Sequence, residues 1–354
     1  MRRSIVAGVA AVLVAVSVSG ATEQPSQPIE IRMPAPHSGT VSSGPFSPAG
    51  IRKWMRPLGR AAPHWARRLY GRSVRVLTAL TDPQSGAMIA GERDGWDYVW
   101  PRDASAGSIA FEAAGLHPEA QRVVGFLSNI DPERAARFYP DGSPVPGRPA
   151  AGDAVGWIAA AAQATTKPST FLTGGRTATV DKEGPWRWRD RQDYGENVTG
   201  DLLGNAIAAG ALADEVNSHF LTLRGLAREE DGDELDSAAA WAVTLFPQPG
   251  LRVDVRRTLL ELTRHSTPYG IPPMESWTPG EVWTAPTAWS AWALVELGET
   301  RAADRLLHEL HRAETPDGTL PERVDASTGE PTSTTPLAWS HAFAILALSA
   351  RYPG

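Results

Sequence analysis

The sequence predicts an all-α fold built from paired helices, and three observations lead to it. Helical stretches of about 10 to 16 residues recur along the chain. Loops rich in Gly, Pro and Asp separate them. No two alternating segments are joined by hairpin-turn residues, which disfavours a β-rich fold. The predicted helices cover residues 62–80, 104–114, 118–128, 154–164, 202–212, 215–229, 234–245, 253–264, 286–297, 300–313 and 336–350.

The order of these helices indicates stacked helical hairpins. A linear solenoid and a closed ring are both compatible with such a pattern. No repeat of fixed period is visible in the sequence, which favours the ring.

The N-terminal region is typical of an exported protein. Arg2 and Arg3 precede an almost wholly apolar run, and small residues occupy positions 19 and 21. We expect residues 1–21 to be a cleaved signal peptide, and an uncleaved membrane anchor is the alternative. Residues 22–48 are rich in Pro, Ser, Gly and Thr and are predicted to be a flexible linker, so the domain spans 49–354.

The composition restricts the function. The 354 residues carry a net charge of −6, which argues against a broad nucleic-acid surface, and they include no cysteine. A chain of this length can bury a sufficient core without disulfides. Neither the His spacing nor a Cys cluster indicates a metal site, so we expect no metal or cofactor, and we expect a monomer. The 13 tryptophans can fill a core or stack on sugars.

The stretch GWDYVWPRDAS, residues 95–105, is the first candidate site. It places Trp96 and Trp100 directly before the pair Arg102-Asp103, at the start of a predicted helix. In one interpretation Asp103 is the N-cap of that helix and the aromatic residues are core. In the other, the stretch is one wall of a sugar pocket, and both interpretations can hold together.

Aromatic and acidic residues are concentrated in loops that precede predicted helices, at 95–103, 186–201 and 272–286. A further acidic loop covers 315–336. Alternate loops in a ring of hairpins meet at the same end, so Glu196 and Glu322 can face one cleft. Hydrolysis of a glycosidic bond needs such a pair, because one carboxyl protonates the leaving oxygen and the other activates water or attacks the sugar.

Four collinear blocks resemble glycoside hydrolase family 15, the glucoamylase-like family. YVWPRDAS (98–105) is similar to its Trp-x-Arg-Asp signature, and TLPERVD (319–325) followed by STTPLAWSHA (333–342) is similar to its second signature. GRPAAGDAVGWIAAA (147–161) and TPGEVWTAPTAWSAWAL (278–294) resemble two further blocks. The resemblance covers residues 50–354 and implies a six-hairpin (α/α) barrel, (α/α)6.

The resemblance also implies roles for single residues. Glu322 matches the general base, and Glu196 matches the general acid. Arg102 and Asp103 match the pair that grips the sugar at the cleaved end, and the residues expected to line the pocket are Trp96, Trp100, Trp283 and Trp339. Three positions depart from the family pattern: Gly195 replaces a Trp, Trp96 a Tyr, and Arg323 a Gln.

These residues predict a secreted inverting glycoside hydrolase that acts on α-linked glucose oligo- or polysaccharides. The carboxyl groups of Glu196 and Glu322 should lie roughly 6.5–9.5 Å apart, leaving room for a water. Glu196 should occupy the more apolar setting, while Arg323 should help to keep Glu322 ionised. An exported glycan-binding protein without turnover, or a trehalose- or dextran-type α-glucosidase, is the alternative. Glu275 and Glu281 are the next candidates for catalysis.

Overall fold

A computed structural model describes most of the chain beyond its N-terminal region. The described residues are 46–47, 50–51, 53, 55–93, 95–148, 150–165, 202–208, 210–230, 232–275, 277 and 280–354. All of them belong to one compact unit, residues 41–354. The predicted signal peptide, most of the predicted linker, and Glu196 with Gly195 lie outside the described residues.

Helices dominate the described part of the chain. The α-helices with bounds there are α1 (His64–Ala79), α2 (Pro101–Ala113), α3 (His117–Leu127), α4 (Ala154–Ala164), α5 (Leu203–Ala208), α6 (Ala213–Phe220), α7 (Arg252–Leu262), α8 (Thr284–Glu296), α9 (Thr300–Arg312) and α10 (Ala338–Arg351). Short 3₁₀ helices cover Ser237–Val243, Pro249–Leu251 and Thr263–His265. Two three-residue strands, β1 (Glu281–Trp283) and β2 (Arg323–Asp325), pair antiparallel.

Six segments form a closed inner ring: α2, α4, α5, the 3₁₀ helix Ser237–Val243, α8 and α10. Contacts connect α2 to α4, α5 to the 3₁₀ helix, the 3₁₀ helix to α8, α8 to α10, and α10 back to α2. Helices α4 and α5 meet where Gly156 lies against the backbone of Ala208, so closely that a Cβ at Gly156 would collide. The ring therefore closes, and the open solenoid is ruled out.

The remaining long helices pack around this ring. Helix α9 is typical of them: it buries Ala303, Leu306, Leu307 and Leu310 and presents a charged face outward. Helix α2, in the ring, is instead buried along its length from Pro101 to Phe111. Burial on all sides explains why the ring helices are rich in alanine and lack the apolar stripe that marks the outer helices.

Four tryptophans from four ring segments fill the interior of the barrel. The ring centroid of Trp157 lies 5.1 Å from that of Trp241, and Trp241 lies 5.4 Å from Trp289. Trp339 lies 4.8 Å from Trp289 and 6.3 Å from Trp157. Such edge-to-face and tilted arrangements are the favoured geometries for aromatic pairs. A substantial part of the tryptophan content therefore serves the core.

The N-terminal ends of the ring segments lie together at one end of the barrel. The Arg102 side chain at the start of α2 contacts Asp153, the residue before α4. The Thr284 hydroxyl oxygen at the start of α8 lies 2.6 Å from Ser340 Oγ in the first turn of α10. The loops that precede these helices are therefore neighbours, although they are far apart in the sequence.

Several sequence predictions of secondary structure are wrong in detail. The predicted helix 215–229 ends at Phe220, because Leu221 adopts an extended conformation. The chain then turns at Gly225, whose φ of +147° is unfavourable for other residues. The predicted helix 234–245 is a 3₁₀ helix, Ser237–Val243, with Asp236 accepting from the Ala238 N–H at its start. The β1–β2 pair was not predicted, because three-residue strands carry no alternating pattern.

The first described residues are attached to the barrel. Phe46 lies inside the predicted linker but is buried, with its ring 5.9 Å from that of Phe111. Its N–H donates to Glu119 Oε1 at 3.0 Å. Among the helices of the described ranges, none is long and apolar enough to cross a membrane.

Candidate active site

Glu322 lies at the end of the barrel where the ring helices begin, and its backbone is held on both sides. The Glu322 N–H donates to the carbonyl of Thr334 at 2.9 Å, and its carbonyl accepts from the Thr284 N–H at 3.1 Å. The preceding carbonyl, of Pro321, accepts from the Thr284 hydroxyl at 2.5 Å and from Ser340 Oγ at 3.3 Å. The segment that carries Glu322 is therefore fixed against α8 and α10.

A buried histidine completes this support. His341 Nε2 accepts from the Leu320 N–H at 3.0 Å, two residues before Glu322. Because Nε2 is an acceptor, the ring proton lies on Nδ1, which donates to Ser73 Oγ at 2.9 Å. The imidazole thereby connects α1, α10 and the Glu322 segment.

Glu322 is 5% exposed, and one oxygen of its carboxylate accepts from two donors. Ser333 Oγ donates to Oε2 in a short hydrogen bond, and Arg323 Nε donates to the same atom at 3.4 Å. The guanidinium of Arg323 is shared, because its Nη1 also donates to Glu281 Oε2 at 2.9 Å.

Burial raises the pKa of Glu322, and the negative charge of Glu281 adds to the increase. The Ser333 hydrogen bond and the Arg323 charge oppose it without cancelling it. Arg323 therefore acts on the pKa of Glu322 in the expected direction, while desolvation is the larger influence because the carboxyl lies in a nearly dry setting. That Glu322 is ionised when it acts stays a prediction.

Arg102 forms a buried ion pair with a residue that the sequence analysis did not single out. Its Nε donates to Asp153 Oδ2 at 2.5 Å and its Nη2 to Asp153 Oδ1 at 3.1 Å. Asp153 Oδ2 also accepts from the indole N–H of Trp157 at 3.1 Å. The guanidinium lies over the ring of Trp339, 5.3 Å from its centroid. Asp153 and Trp339 thus orient Arg102 directly, and Trp157 supports the orientation through Asp153.

Asp103 is buried beside Arg102 but is not the N-cap of α2. The helix begins two residues earlier, at Pro101, with Trp100 at the N-cap position and no side-chain capping bond. Proline suits this first helical position because its φ is already helical and its missing N–H would have had no partner there. Asp103 lies in the first turn, where a carboxylate interacts favourably with the helix dipole.

The aromatic residues of the 95–100 loop pack against one another. The ring centroids of Trp96 and Trp100 lie 5.6 Å apart, and that of Tyr98 lies 6.1 Å from Trp100. Arg137 lies over both Tyr98 and Trp100, at 4.5 and 5.5 Å from the centroids. Trp100 is buried, while Trp96 keeps partial exposure.

Trp283 lies directly before α8 and pairs with Arg323, the residue after Glu322, between β1 and β2. Arg323 lies 5.9 Å from its ring centroid, and Trp277 meets it edge-on at 5.0 Å. The Trp283 indole N–H is buried and has no hydrogen-bond acceptor among the described residues.

Backbone contacts connect these groups. The Ala338 N–H donates to the carbonyl of Ala90 at 2.7 Å, and Gly91 lies against Thr334, whose carbonyl binds Glu322. The segments that carry the 95–103 loop, Trp339 and Glu322 are therefore adjacent at one end of the barrel. The roles of Trp96, Trp100, Arg102, Asp103, Trp283 and Trp339 in sugar binding, and of Glu322 and Glu196 in catalysis, stay predictions.

Two site residues were missed for different reasons. Asp153 stands directly before a predicted helix, so the sequence suggests a cap rather than a partner for Arg102, 51 positions away. Ser333 belongs to a Ser/Thr-rich stretch in which no residue stands out. Only the folded chain shows that each contacts a candidate site residue.

Solved structures that this chain resembles include glycosidases and glucoamylases. A wild-type glycosidase aligns with a TM-score of 0.66 at 17% identity, covering 81% of this chain and 97% of that chain. A bacterial glucoamylase complexed with acarbose aligns with a TM-score of 0.66 at 17% identity, covering 80% of this chain and 55% of that one. A glucoamylase from Saccharomycopsis fibuligera aligns with a TM-score of 0.59 at 14% identity, covering 84% and 96%.

No protein-family model matches the chain, and no curated protein matches it. At these low identities the structural likeness establishes the fold. The chain is an all-α protein with the (α/α)6 barrel of glucoamylases, as the resemblance predicted.

Proposed function

We propose that this chain is an inverting glycoside hydrolase that acts on α-linked glucose oligo- or polysaccharides, with Glu322 as the general base. The observation that carries the proposal is the buried carboxylate of Glu322, fixed by Ser333 and Arg323 where the ring helices begin. Both donors bind Oε2, and within the described residues Oε1 accepts no hydrogen bond. A water at Oε1 can therefore lose its proton to a base whose position is set before substrate binds.

The pair Arg102–Asp153 supports a role in holding sugar hydroxyls. Asp153 fixes the guanidinium of Arg102 in a buried position. A preorganised donor group loses little freedom when it binds a ligand. Trp339 lies against the same guanidinium, and the buried N–H of Trp283 is a further donor without an acceptor in the described part of the chain.

Glu196 completes the proposal as the general acid. It should protonate the leaving oxygen from a point about 6.5–9.5 Å from Glu322, because an inverting enzyme needs space for a water between carboxylate and sugar. Residues 49–354 form the catalytic domain in this proposal. Residues 1–21 direct export as a cleaved signal and 22–48 form the linker, so the enzyme acts outside the cell as a monomer.

A reducing-sugar assay of the purified chain tests the activity. The substrate panel is maltose, isomaltose, trehalose, dextran and starch. Release of glucose from one or more of these supports the proposal, and the preferred substrate identifies the linkage. Glu281→Gln is the control variant, because it changes a carboxylate that contacts Arg323 rather than the proposed water, and it should retain turnover.

A glycan-binding protein without turnover is the second candidate. Trp96 favours it, because the indole has only a donor where a Tyr hydroxyl would also accept, and its ring packs on Trp100. Binding of maltose or longer oligosaccharides with no glucose released from any member of the panel would support this candidate.

A further inference from the structure

A cleft of about 540 Å³ lies on the outside of the barrel, between α1 and the loop that follows α9. Arginines line one wall, and the turn 314–318 forms the other. No residue of this cleft belongs to the proposed catalytic site.

The arginine wall follows the helical repeat. Arg68, Arg72 and Arg75 are spaced by four and then three residues, which places them on one face of α1. Arg68 Nη1 is hydrogen-bonded to His64. Arg72 and Arg75 form no hydrogen bond or ion pair with any described residue, and Arg75 is exposed. Like charges at this spacing repel one another. The charge of Glu314 on the opposite wall offsets them only in part, and burial outweighs the effect of Arg68 and Arg72 on the pKa of Glu314.

The acidic residues of the opposite wall already form hydrogen bonds with their own neighbours in the chain. Glu314 Oε1 is hydrogen-bonded to His311 Nδ1 at 2.5 Å, and burial raises the pKa of Glu314. Asp317 Oδ1 accepts from the hydroxyls of Thr315 and Thr319 within its own turn. Partial desolvation lowers the pKa of the Arg75 guanidinium, and the charge of Arg72 adds a smaller decrease.

Two glycines leave the space between the walls open. Gly71 lies in the interior of α1 on the arginine face, although glycine is a poor helix former. A Cβ at Gly71 would meet only Arg75 Nη1, at 3.6 Å, so no backbone contact requires glycine there. Gly318 adopts a φ of +80° in the turn, and a Cβ there would lie 3.5 Å from both Arg72 Nε and Glu314 Oε2. Small residues on both sides let a ligand approach the two guanidinium groups closely.

We propose that this cleft binds a tetrahedral oxyanion, a phosphate or a sulfate group, between Arg72 and Arg75. Guanidinium groups bind such oxygens through pairs of parallel hydrogen bonds, which suits two side chains one turn apart. The group is either a free inorganic ion or an ester on a sugar. The site is independent of the proposed hydrolase activity.

Calorimetric titration of the full chain with inorganic phosphate, inorganic sulfate and glucose 6-phosphate tests the proposal. The double variant Arg72→Gln/Arg75→Gln should weaken binding by about tenfold or more, since it removes both charged donors. The control, Arg256→Gln/Arg264→Gln, removes two exposed arginines that form ion pairs elsewhere and should leave binding unchanged. Equal affinity for phosphate and glucose 6-phosphate assigns the site to the inorganic ion, and tighter binding of the ester assigns it to a sugar phosphate.

A second variant separates loss of binding from loss of the fold. Gly71→Glu places a carboxylate in the cleft and replaces glycine by a better helix former, so it should abolish anion binding and raise the melting temperature. The proposal is overturned if none of the three anions binds the wild-type chain, or if the control pair weakens binding as much as the Arg72/Arg75 pair does. It is also overturned if Gly71→Glu binds anions as the wild type does.

Discussion

Arg102 and Asp153 form a buried, bidentate ion pair that joins the first turn of α2 to the start of α4. The Nε–Oδ2 distance is 2.5 Å and the Nη2–Oδ1 distance is 3.1 Å. Because Trp157 donates to the same carboxylate, Asp153 has little freedom to follow Arg102 if that side chain moves. The pair therefore fixes the guanidinium that we propose to hold the sugar.

Replacing Asp153 by Asn should lower both stability and substrate affinity. The change removes the negative charge of Asp153 from a buried ion pair, and breaking such a pair costs about 3 to 5 kcal/mol in the free energy of unfolding. Denaturant unfolding measures this loss, and KM for the preferred glucoside should rise as Arg102 loses its orientation. Asp304→Asn is the control, because Asp304 pairs with the partly exposed Arg351. An equal loss of stability in the two variants would contradict the argument.

Replacing Ser333 by Ala should shift the acid limb of the pH profile. Burial raises the pKa of Glu322, and the Ser333 hydrogen bond partly offsets that increase. Without Ser333 the pKa of Glu322 rises further, so kcat/KM falls at a higher pH than in the wild type. At pH values well above this limb, the rate should change little. Ser327→Ala, which removes a hydroxyl bound to the partly exposed Asp325, should leave the limb in place.

Substitutions of Glu281 and Arg323 should shift the acid limb of the kcat/KM profile in opposite directions. The charge of Glu281 raises the pKa of Glu322, whereas that of Arg323 lowers it. Glu281→Gln should therefore move the acid limb of kcat/KM to lower pH, and Arg323→Gln should move it to higher pH. A shift of the same sign in both variants would show that Arg323 acts on Glu322 by packing rather than by charge.

His341 should contribute to acid unfolding. Burial and the charge of Arg72 lower its pKa to about 3, whereas an unfolded histidine titrates near pH 6.5. The unfolded state binds the extra proton between these values, so stability falls as pH decreases through this window, by up to about 1.4 kcal/mol per pH unit.

His341→Gln should flatten this pH dependence of the unfolding free energy. Ser73→Ala, which removes only the hydrogen-bond partner, should lower stability and keep the slope. Denaturant unfolding of the two variants between about pH 4 and pH 6 makes the comparison. The same slope in His341→Gln as in the wild type would rule out His341 as the group responsible.

The sequence predicted the fold class because the evidence for it is local. Helix periodicity and loop punctuation recur along the whole chain, and α4 has the predicted bounds, Ala154–Ala164. The resemblance of the blocks around Trp100 and Glu322 then selected a closed barrel rather than a solenoid. Predictions failed where tertiary contacts decide local structure, as in the 3₁₀ helix Ser237–Val243 and the irregular chain after Phe220.

The partners of the candidate residues could not be predicted in the same way. The ionisation of Glu322 depends on burial and on Ser333, 11 positions later, and neither is visible as a pattern. The orientation of Arg102 depends on Asp153, whose position before a helix indicated only a cap. The sequence therefore identified the side chains that could take part in binding or catalysis. The fold determined which other groups surround them.

The anomeric form of the first product tests the central claim most directly. Proton NMR during hydrolysis of an α-linked glucoside should show β-glucose appearing first, because water activated by Glu322 attacks the face opposite the leaving group. Glu322→Gln should bind the same substrate and release no glucose. Initial release of α-glucose, or turnover at the wild-type rate in Glu322→Gln, would contradict the assignment of Glu322 as the general base of an inverting hydrolase.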